Sequence, residues 1–250
     1  MKQLFKIILI TSAFFISWCY ANIPDENKEY IHFATSAEYP PFEYNEHGEI
    51  KGFDIDLARL IAKQLGKEAL FDSMQFSSIL PAISSNQVDV AISTLTITEQ
   101  RKKNFDFSEP YFFESLAAVF DAKKPIKTAT ELDGKTVAVQ LGSTMELWLK
   151  AKVPLAKLLV VDNNNQAIAA LKAGHVDLVV MDGAQGAVFS QKNPGLAFAI
   201  ISQSKEGYGL ALKKNSVLTY KINQALHTLE QNGELTKLKK KWFGDVTWKN

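Results

Sequence analysis

The stretch SNQVDVAIST, residues 85–94, passes from a tight turn into a short apolar run and then into the hydroxyl residues Ser93 and Thr94. The stretch AGHVDLVVMD, residues 173–182, has the same order: a tight turn, Val-Asp, an apolar run and then the polar residue Asp182. Each follows a segment with helical spacing, so each predicts a helix, a turn and a buried strand. Ligands of open α/β sheets bind at the carboxyl ends of strands. The repeat therefore predicts two similar α/β units that present polar residues to a shared cleft.

Strand-like and helix-like segments alternate along the chain. The predicted strands are 30–35, 88–92, 116–120, 136–139, 158–161 and 176–181, of which 88–92 and the last three are expected to be buried. The predicted helices are 53–65, 76–85, 145–152 and 166–173. This alternation is typical of an α/β protein with parallel sheets covered by helices. Within the repeat, Asp89 and Asp177 are interpreted as turn residues rather than ligand contacts.

Composition and net charge bear on the class of partner. The chain has 250 residues, of which 46% are hydrophobic and 22% charged, with a formal net charge of +1. That balance favours neither nucleic acid nor a charged membrane surface as a partner. The histidines show no metal-ligand spacing, so no metal and no cofactor is expected; they are His32, His47, His175 and His227.

The first 21 residues predict export. Lys2 and Lys6 lie at the start of a short apolar run, and small residues follow the run before Asn22. This order is typical of a signal peptide (1–21) that is cleaved before Asn22. The one cysteine, Cys19, leaves lipid modification of the N-terminus as an alternative. In either case the mature protein is predicted to be periplasmic and to contain no disulfide.

Five motifs carry a resemblance to a known family. In chain order they are EYPPFE (38–43), GFDIDLA (52–58), TITEQR (96–101), FSEPY (107–111) and the pair GEL (233–235) with KWFG (241–244). In this order and spacing they resemble the family 3 periplasmic solute-binding proteins of ABC transporters for polar amino acids, of the arginine, lysine, histidine or glutamine type. The resemblance covers nearly the whole mature chain.

The resemblance implies a two-lobed fold, with two α/β lobes joined by two hinge strands that close on an amino acid. The first lobe would be built from both ends of the chain, 22–115 and 208–250, and the second from 116–207. The hinge crossings are placed near 114–119 and 206–210. The implied partners are a free polar amino acid and a membrane permease, and a monomer is expected.

An amino acid carries a carboxylate and an ammonium group, and burying both requires a partner for each. Arg101 is the predicted carboxylate partner, because its planar guanidinium forms two parallel hydrogen bonds to a carboxylate. Asp182 is the predicted partner of the ammonium, with an Asp-Gly turn at Gly183 as the alternative. The resemblance implies both roles.

Further polar contacts are predicted from each lobe. Ser93, Thr94 and Thr96 lie around the end of the predicted strand 88–92 and offer hydroxyl and backbone groups to the ligand. The resemblance also implies that these three residues contact the ligand. In the second lobe, Ser143 and Glu146 fit a capping box that begins a helix. The free N–H groups at Ser143 and Thr144 would then meet the carboxylate that Arg101 binds.

Tyr39 and Phe76 are the predicted walls for the ligand side chain, since an aromatic face packs on aliphatic groups and attracts a cation. Relatives selective for basic amino acids often carry an acid shortly before this first aromatic residue, where this chain has Ser36. A site with Glu38 would favour arginine or lysine, and a site with Ser36 and Gln140 would favour glutamine. Arginine is the favoured ligand and glutamine the alternative.

Two other classes of function remain open from the sequence. A few relatives of this family are dehydratases that act on cyclic carboxylic acids, so a cyclohexadienyl-dehydratase-like enzyme is one alternative. Such an enzyme needs a general acid over the leaving group, and no histidine or glutamate is assigned to that role. A ligand-sensing domain is the other alternative. We expect a binding protein without catalytic activity.

Overall fold

The structure, a computed structural model, describes residues 29–244, so the predicted signal peptide lies outside it. The strands are β1 Tyr30–Thr35, β2 Glu38–Tyr39, β3 Glu43–Glu46, β4 Glu49–Lys51, β5 Glu68–Ser73, β6 Val90–Ala91, β7 Phe105–Phe107, β8 Phe112–Asp121, β9 Thr136–Gln140, β10 Lys157–Val161, β11 Leu178–Asp182, β12 Leu196–Tyr208 and β13 Ala211–Lys213. The α-helices are α1 Phe53–Gln64, α2 Phe76–Ser84, α3 Glu99–Lys102, α4 Thr144–Lys152, α5 Asn164–Lys172, α6 Gly183–Lys192, α7 Val217–Gln231 and α8 Glu234–Phe243, and Ala129–Leu132 forms a 3₁₀-helix.

Two five-stranded sheets form the centres of two lobes. The first has the order β5-β1-β6-β13-β7 and the second β10-β9-β11-β8-β12, while β2, β3 and β4 form a small separate sheet. The pairs of β1 with β5 and β6, and of β9 with β10 and β11, are parallel as predicted. The prediction of parallel sheets holds only for these pairs, because β13 and β8 pair antiparallel with their neighbours. Both sheets are therefore mixed, and the α/β class is confirmed.

The predicted helices agree with the observed ones to within two residues at each end. The strands differ more. The buried strand predicted at 88–92 is reduced to Val90–Ala91, and the predicted strand 116–120 extends to Phe112–Asp121. The strand Lys157–Val161 was expected to be buried, but it lies at the edge of its sheet, where Leu159 and Val160 are 38% and 37% exposed.

The sequence repeat corresponds to the same local geometry in each lobe. The Asp89 carboxylate accepts a hydrogen bond from the N–H of His32 at 3.0 Å, and the Asp89 N–H donates to the carbonyl of His32 at 2.9 Å. Asp177 makes the same pair of bonds with Thr136, both at 2.8 Å. In each lobe an aspartate directly before the central strand is thus bonded to the neighbouring strand, at His32 in β1 and at Thr136 in β9, which supports its structural role.

The apolar face of α1 packs on the first sheet. Leu57, Ala58 and Ile61 recur at helical spacing and are fully buried, as is Phe33 on β1. Leu226 from α7 is buried in the same core. The C-terminal helices therefore belong to the lobe that contains the first strands of the chain.

Two long antiparallel strands, β8 and β12, run between the lobes. At one end their residues Phe112 and Tyr208 pair and stack at 6.2 Å within the first core. Further along β8, Val119 and Phe120 are buried in the second lobe. The predicted hinge crossings lie within or directly beside these two strands. The lobe limits 22–115, 116–207 and 208–250 stay predictions.

Candidate functional site

A small cavity lies where the two lobes meet. Its lining comes from the strand ends and helix starts of both lobes: Tyr39, Phe76, Thr94, Thr96, Arg101, Gln140, Ser143, Thr144, Met145 and Asp182. The structure therefore brings most of the predicted site residues together, although they are scattered along the sequence. The cavity is small because side chains of the two lobes touch one another across it. Its volume is about 10 Å³, which is about the space that one water molecule needs.

Arg101 reaches this cavity from α3. Thr98 begins the helix, as its side chain accepts a hydrogen bond from the Arg101 N–H at 3.2 Å. The guanidinium donates to the carbonyl of Thr96 at 2.8 Å and, from the other lobe, to the carbonyl of Gly142 at 3.2 Å. Its Cζ lies 5.9 Å from the centre of the Phe76 ring. Arg101 is therefore held between both lobes, with its guanidinium over an aromatic ring.

The charge of Arg101 is retained in this setting. Burial lowers the pKa of the guanidinium to about 10, and the negative charge of Glu206 opposes that change. The side chain is thus a cation at neutral pH. Arginine carries five N–H donors, and the hydrogen bonds to described residues use two of them. The group can therefore also donate to a carboxylate placed in the cavity.

The start of α4 faces the cavity from the second lobe. The Ser143 hydroxyl accepts a hydrogen bond from the Glu146 N–H at 3.2 Å, which confirms the predicted cap, and donates to the Gln140 carbonyl at 2.7 Å. The Glu146 carboxylate accepts from the N–H of Gly142 at 2.8 Å rather than from that of Ser143. The N-terminus of the helix, with Thr144 in its first position, is thereby fixed at the cavity wall.

Asp182 ends the central strand of the second lobe. It is only 4% exposed and stands directly before α6, but its side chain does not cap that helix. Instead its carboxylate accepts a hydrogen bond from the hydroxyl of Tyr39, across the cavity. The hydroxyl groups of Thr96 and Thr144 form a further contact between the lobes, at 3.2 Å. The alternative of an Asp-Gly turn does not hold, because Gly183 is the first residue of a helix.

Gln140 contributes an oxygen acceptor to the cavity. Its Nε2 donates to the backbone carbonyl of Asp162 at 3.3 Å. The amide oxygen Oε1 is then the atom of this side chain that can accept a hydrogen bond from a ligand.

Three predicted site residues do not line the cavity. Glu38 is exposed, because neighbouring residues of a strand face opposite sides and Tyr39 occupies the inner side. Ser36 and Ser93 are buried behind the lining. The Ser36 N–H donates to the Ser93 hydroxyl at 3.0 Å, and that hydroxyl donates to Glu43 at 2.8 Å.

Two buried acids and one thioether were missed by the sequence predictions. Met145 lines the cavity, and Glu43 and Asp54 lie behind it, 1% and 0% exposed. Burial raises the pKa of Asp54 to about 7 and that of Glu43 well above its usual range. The available signal was an acidic residue inside an apolar motif, in PPFEY (40–44) and GFDIDL (52–57).

Within residues 29–244, no group of three or more histidine, cysteine, aspartate or glutamate side chains is arranged to hold a metal ion. In the same part of the chain, none of the helices has the length and apolar character needed to cross a membrane.

Comparison with known proteins places the chain in a family. The model of the bacterial extracellular solute-binding proteins, family 3, matches residues 31–245, and the chain belongs to this family. Arginine-binding extracellular protein ArtP of Bacillus subtilis (strain 168) is 37% identical over 224 residues, 88% of each chain. L-cystine-binding protein TcyJ of Escherichia coli (strain K12) is 34% identical over 215 residues, 84% of this chain and 81% of that one.

Solved structures agree with this assignment. An ancestral arginine-binding protein, solved once with arginine and once with glutamine, is 42% identical to this chain. It superposes with a TM-score of 0.84 over 87% of this chain and 99% of its own. The two-lobed fold is thus the fold of amino-acid-binding proteins of this family.

Proposed function

We propose that this chain is an exported substrate-binding protein that captures a polar L-amino acid between its lobes and delivers it to an ABC transporter permease. The observation that carries the proposal is the placement of Arg101 and Asp182, one from each lobe, in the lining of one cavity. A cation and an anion in one cavity complement the two charges of an amino acid.

The carboxylate of the ligand would be bound from both lobes. Arg101 supplies a planar pair of donors from the first lobe. The backbone N–H groups at Ser143 and Thr144, at the start of α4, supply donors and the positive end of the helix dipole from the second lobe. The ligand ammonium would be paired with Asp182, and the hydroxyl of Thr94 is a further polar contact in the lining.

Arginine is the favoured ligand and glutamine the second candidate. Tyr39 and Phe76 line the cavity and offer aromatic faces to a guanidinium. Gln140 offers an acceptor oxygen, which suits the N–H groups of a guanidinium and of an amide alike. The relatives named for arginine, and the ancestral protein solved with both ligands, support this order. The proposed contribution of Glu38 needs a side chain that turns inward from its exposed position.

Ligand entry requires the lobes to separate, because the cavity volume is about 10 Å³. We place the hinge in β8 and β12, which connect the two cores. Closure around the ligand then creates the surface that a permease recognises. The protein is proposed to act as a monomer in the periplasm, after removal of 1–21 or, alternatively, with a lipid anchor at Cys19.

A thermal-shift screen of the chain from Asn22 against the twenty amino acids, ornithine, citrulline and cystine tests the proposal. A ligand at 100 times its Kd stabilises a protein by about 2.7 kcal/mol, which gives a shift of several degrees. We expect the largest shift with L-arginine and none with Arg101→Ala. No shift with any of these compounds would contradict the proposal. Turnover of a cyclic carboxylic acid such as prephenate would favour the enzyme instead.

A further inference from the structure

A pair of buried acidic side chains lies behind the cavity, in the first lobe. Glu43 is the first residue of β3 and Asp54 lies in the first turn of α1. The hydroxyl of Ser93 donates to Glu43 Oε1 at 2.8 Å. The Thr94 N–H donates to Asp54 Oδ2 at 2.9 Å, and the hydroxyl of Tyr111 donates to the same oxygen at 2.8 Å. Glu43 is thus bonded to Ser93 and Asp54 to Thr94, and these are consecutive residues at the end of the central strand β6.

The two other carboxyl oxygens, Glu43 Oε2 and Asp54 Oδ1, are fully buried and receive no hydrogen bond from any other described residue. The Asp54 N–H donates to the carbonyl of Phe42, directly before Glu43, at 2.9 Å, and the two acids are bonded to consecutive residues, so their side chains enter the same part of the interior. Two ionised carboxylates only accept hydrogen bonds, whereas one proton between them turns one group into a donor. A single shared proton would therefore satisfy both buried oxygens, which would otherwise be costly to bury.

The position of that proton follows from the remaining contacts. Asp54 Oδ2 accepts two hydrogen bonds, and Glu43 Oε1 accepts one. Hydrogen bonds to a carboxylate favour its ionised form. Above about pH 7, where the pair holds one proton, Asp54 is therefore the ionised member, and Glu43 carries the proton and donates it to Asp54 Oδ1.

Ser93 and Thr94 connect this pair to the cavity. Thr94 has a φ of 46°, in the left-handed region that a β-branched residue seldom adopts. A conformation of this kind persists only where surrounding contacts hold it, and the bond from its N–H to Asp54 is such a contact. Thr94 itself lines the cavity, and Thr96 does so two residues later.

We propose that Glu43 and Asp54 share one proton and, through Ser93 and Thr94, position the strand end that binds the amino acid. The positioning role rests on the proposed function, whereas the shared proton does not. Neither acid needs to touch the ligand, so both are positioning residues for the site.

The electrostatic surroundings agree with a retained proton. Burial, the charge of Asp54 and the charge of Asp182 all hold the pKa of Glu43 above its usual range. Burial raises the pKa of Asp54 to about 7, and the hydrogen bonds from Thr94, Tyr111 and Glu43 limit that rise. The titratable groups that face the pair are Tyr111, directly before β8, and Asp182, at the end of β11. Neither is a cation, so neither favours loss of the proton.

The shared proton can be tested on the unaltered chain. The carboxyl ¹³C shifts of Glu43 and Asp54 are followed by NMR between pH 4 and pH 10, with assignments from Glu43→Gln and Asp54→Asn. We expect the pair to keep one proton above pH 7, with an acid shift for Glu43 and a carboxylate shift for Asp54. Carboxylate shifts for both groups at pH 7 would overturn the inference.

The positioning role is tested by the affinity for L-arginine, with L-glutamine as a second probe, in a set of amide variants. In Glu43→Gln the amide N–H₂ replaces the protonated oxygen as donor to Asp54, so the variant cannot lose that donor at high pH. We expect the Kd of the unaltered chain to rise by up to about tenfold per pH unit once the pair loses its proton. In Glu43→Gln only the rise due to Arg101, whose pKa is about 10, and to the ligand ammonium should remain, and the part due to the pair should be absent. The matched change Glu49→Gln, at an exposed position on β4, should keep it.

The double variant Glu43→Gln, Asp54→Asn tests whether the pair holds one shared proton or one proton on each acid. If the amide oxygens keep the hydrogen bonds from Ser93, Thr94 and Tyr111, the two N–H₂ groups face each other, so we expect a loss of affinity at least tenfold beyond the product of the single effects. Equal pH profiles in the unaltered chain and in Glu43→Gln would overturn the positioning role. If the unaltered chain binds neither probe, the proposed function and the positioning role fail, while the NMR titration still decides the shared proton.

Discussion

The hydroxyl of Tyr39, in the first lobe, donates a hydrogen bond to the carboxylate of Asp182, at the end of the central strand of the second lobe. Both residues are buried, 6% and 4% exposed, and 143 positions separate them in the sequence. The contact joins the lobes at the point where the ligand ammonium is proposed to bind. A carboxylate accepts several hydrogen bonds, so Asp182 can hold an ammonium and contribute to lobe closure.

Replacement of Asp182 by asparagine removes the charge and keeps the size. We expect the Kd for L-arginine to rise by about 100-fold or more, because a buried charge left without its partner costs about 3–5 kcal/mol. Isothermal titration calorimetry measures the change. Asp133→Asn, at an exposed position, is the matched control and should bind normally. An affinity of Asp182→Asn within threefold of the original would contradict the ammonium assignment.

Arg101 and Arg59 form a natural pair for comparison. Each guanidinium lies over an aromatic ring, Arg101 over Phe76 at 5.9 Å and Arg59 over Phe71 at 5.6 Å. We expect Arg101→Lys to weaken L-arginine binding by about 100-fold, since lysine cannot form the paired hydrogen bonds to a carboxylate. Arg59→Lys should leave the affinity unchanged. Equal affinities of the two variants by calorimetry would refute the role of Arg101.

Stability should fall as the pH rises from about 4 to 7. The pKa of Asp54 is raised from 3.8 to about 7 in the folded protein, so the folded state holds a proton that the unfolded state has lost. The contribution is fully present below the unfolded pKa and is lost as the pH rises through the folded one. The free energy of unfolding should decline by about 1.4 kcal/mol per pH unit for each such proton, and the raised pKa of Glu43 extends the decline above pH 7.

Urea denaturation at a series of pH values measures this decline. In Asp54→Asn the part that comes from Asp54 should be absent, so the curve between pH 4 and 7 should be flatter. A free energy of unfolding that rises over this interval in the unaltered chain would show that Asp54 has an ordinary pKa.

The cap of α4 should matter for binding as well as for stability. Ser143 caps α4 at the cavity, and Ser216 caps α7 with its hydroxyl accepting from the Leu218 N–H at 3.3 Å. Loss of either cap by mutation to alanine should cost about 1 kcal/mol of stability. Only Ser143→Ala should also weaken L-arginine binding, by several fold, because the N–H groups of α4 are proposed to bind the carboxylate. Equal affinities in the two variants would place the carboxylate elsewhere.

Local patterns in the sequence predicted most of the fold. Apolar residues at helical spacing located α1 and α2 to within a residue or two, and the repeated Val-Asp turn identified equivalent strands in the two lobes. The edge position of β10 was not predictable in this way, because an apolar run has the same sequence pattern in an edge strand, with one neighbouring strand, as in a central strand, with two. The resemblance implied hinge strands near 114–119 and 206–210, but the antiparallel pairing of β8 with β12 was not predicted, since pairing between distant segments leaves no local pattern.

The sequence by itself determined the α/β class and the family, and it predicted the charged groups, Arg101 and Asp182, that are proposed to bind an amino acid. It could do so because motifs and charge are properties of the chain. Only the tertiary structure decided that Glu38 faces outward while Ser36 and Ser93 lie behind the lining. It also placed Glu43 beside Asp54 in the interior. Those outcomes depend on which side of a strand each side chain occupies and on burial away from water, and both arise only when distant segments pack together.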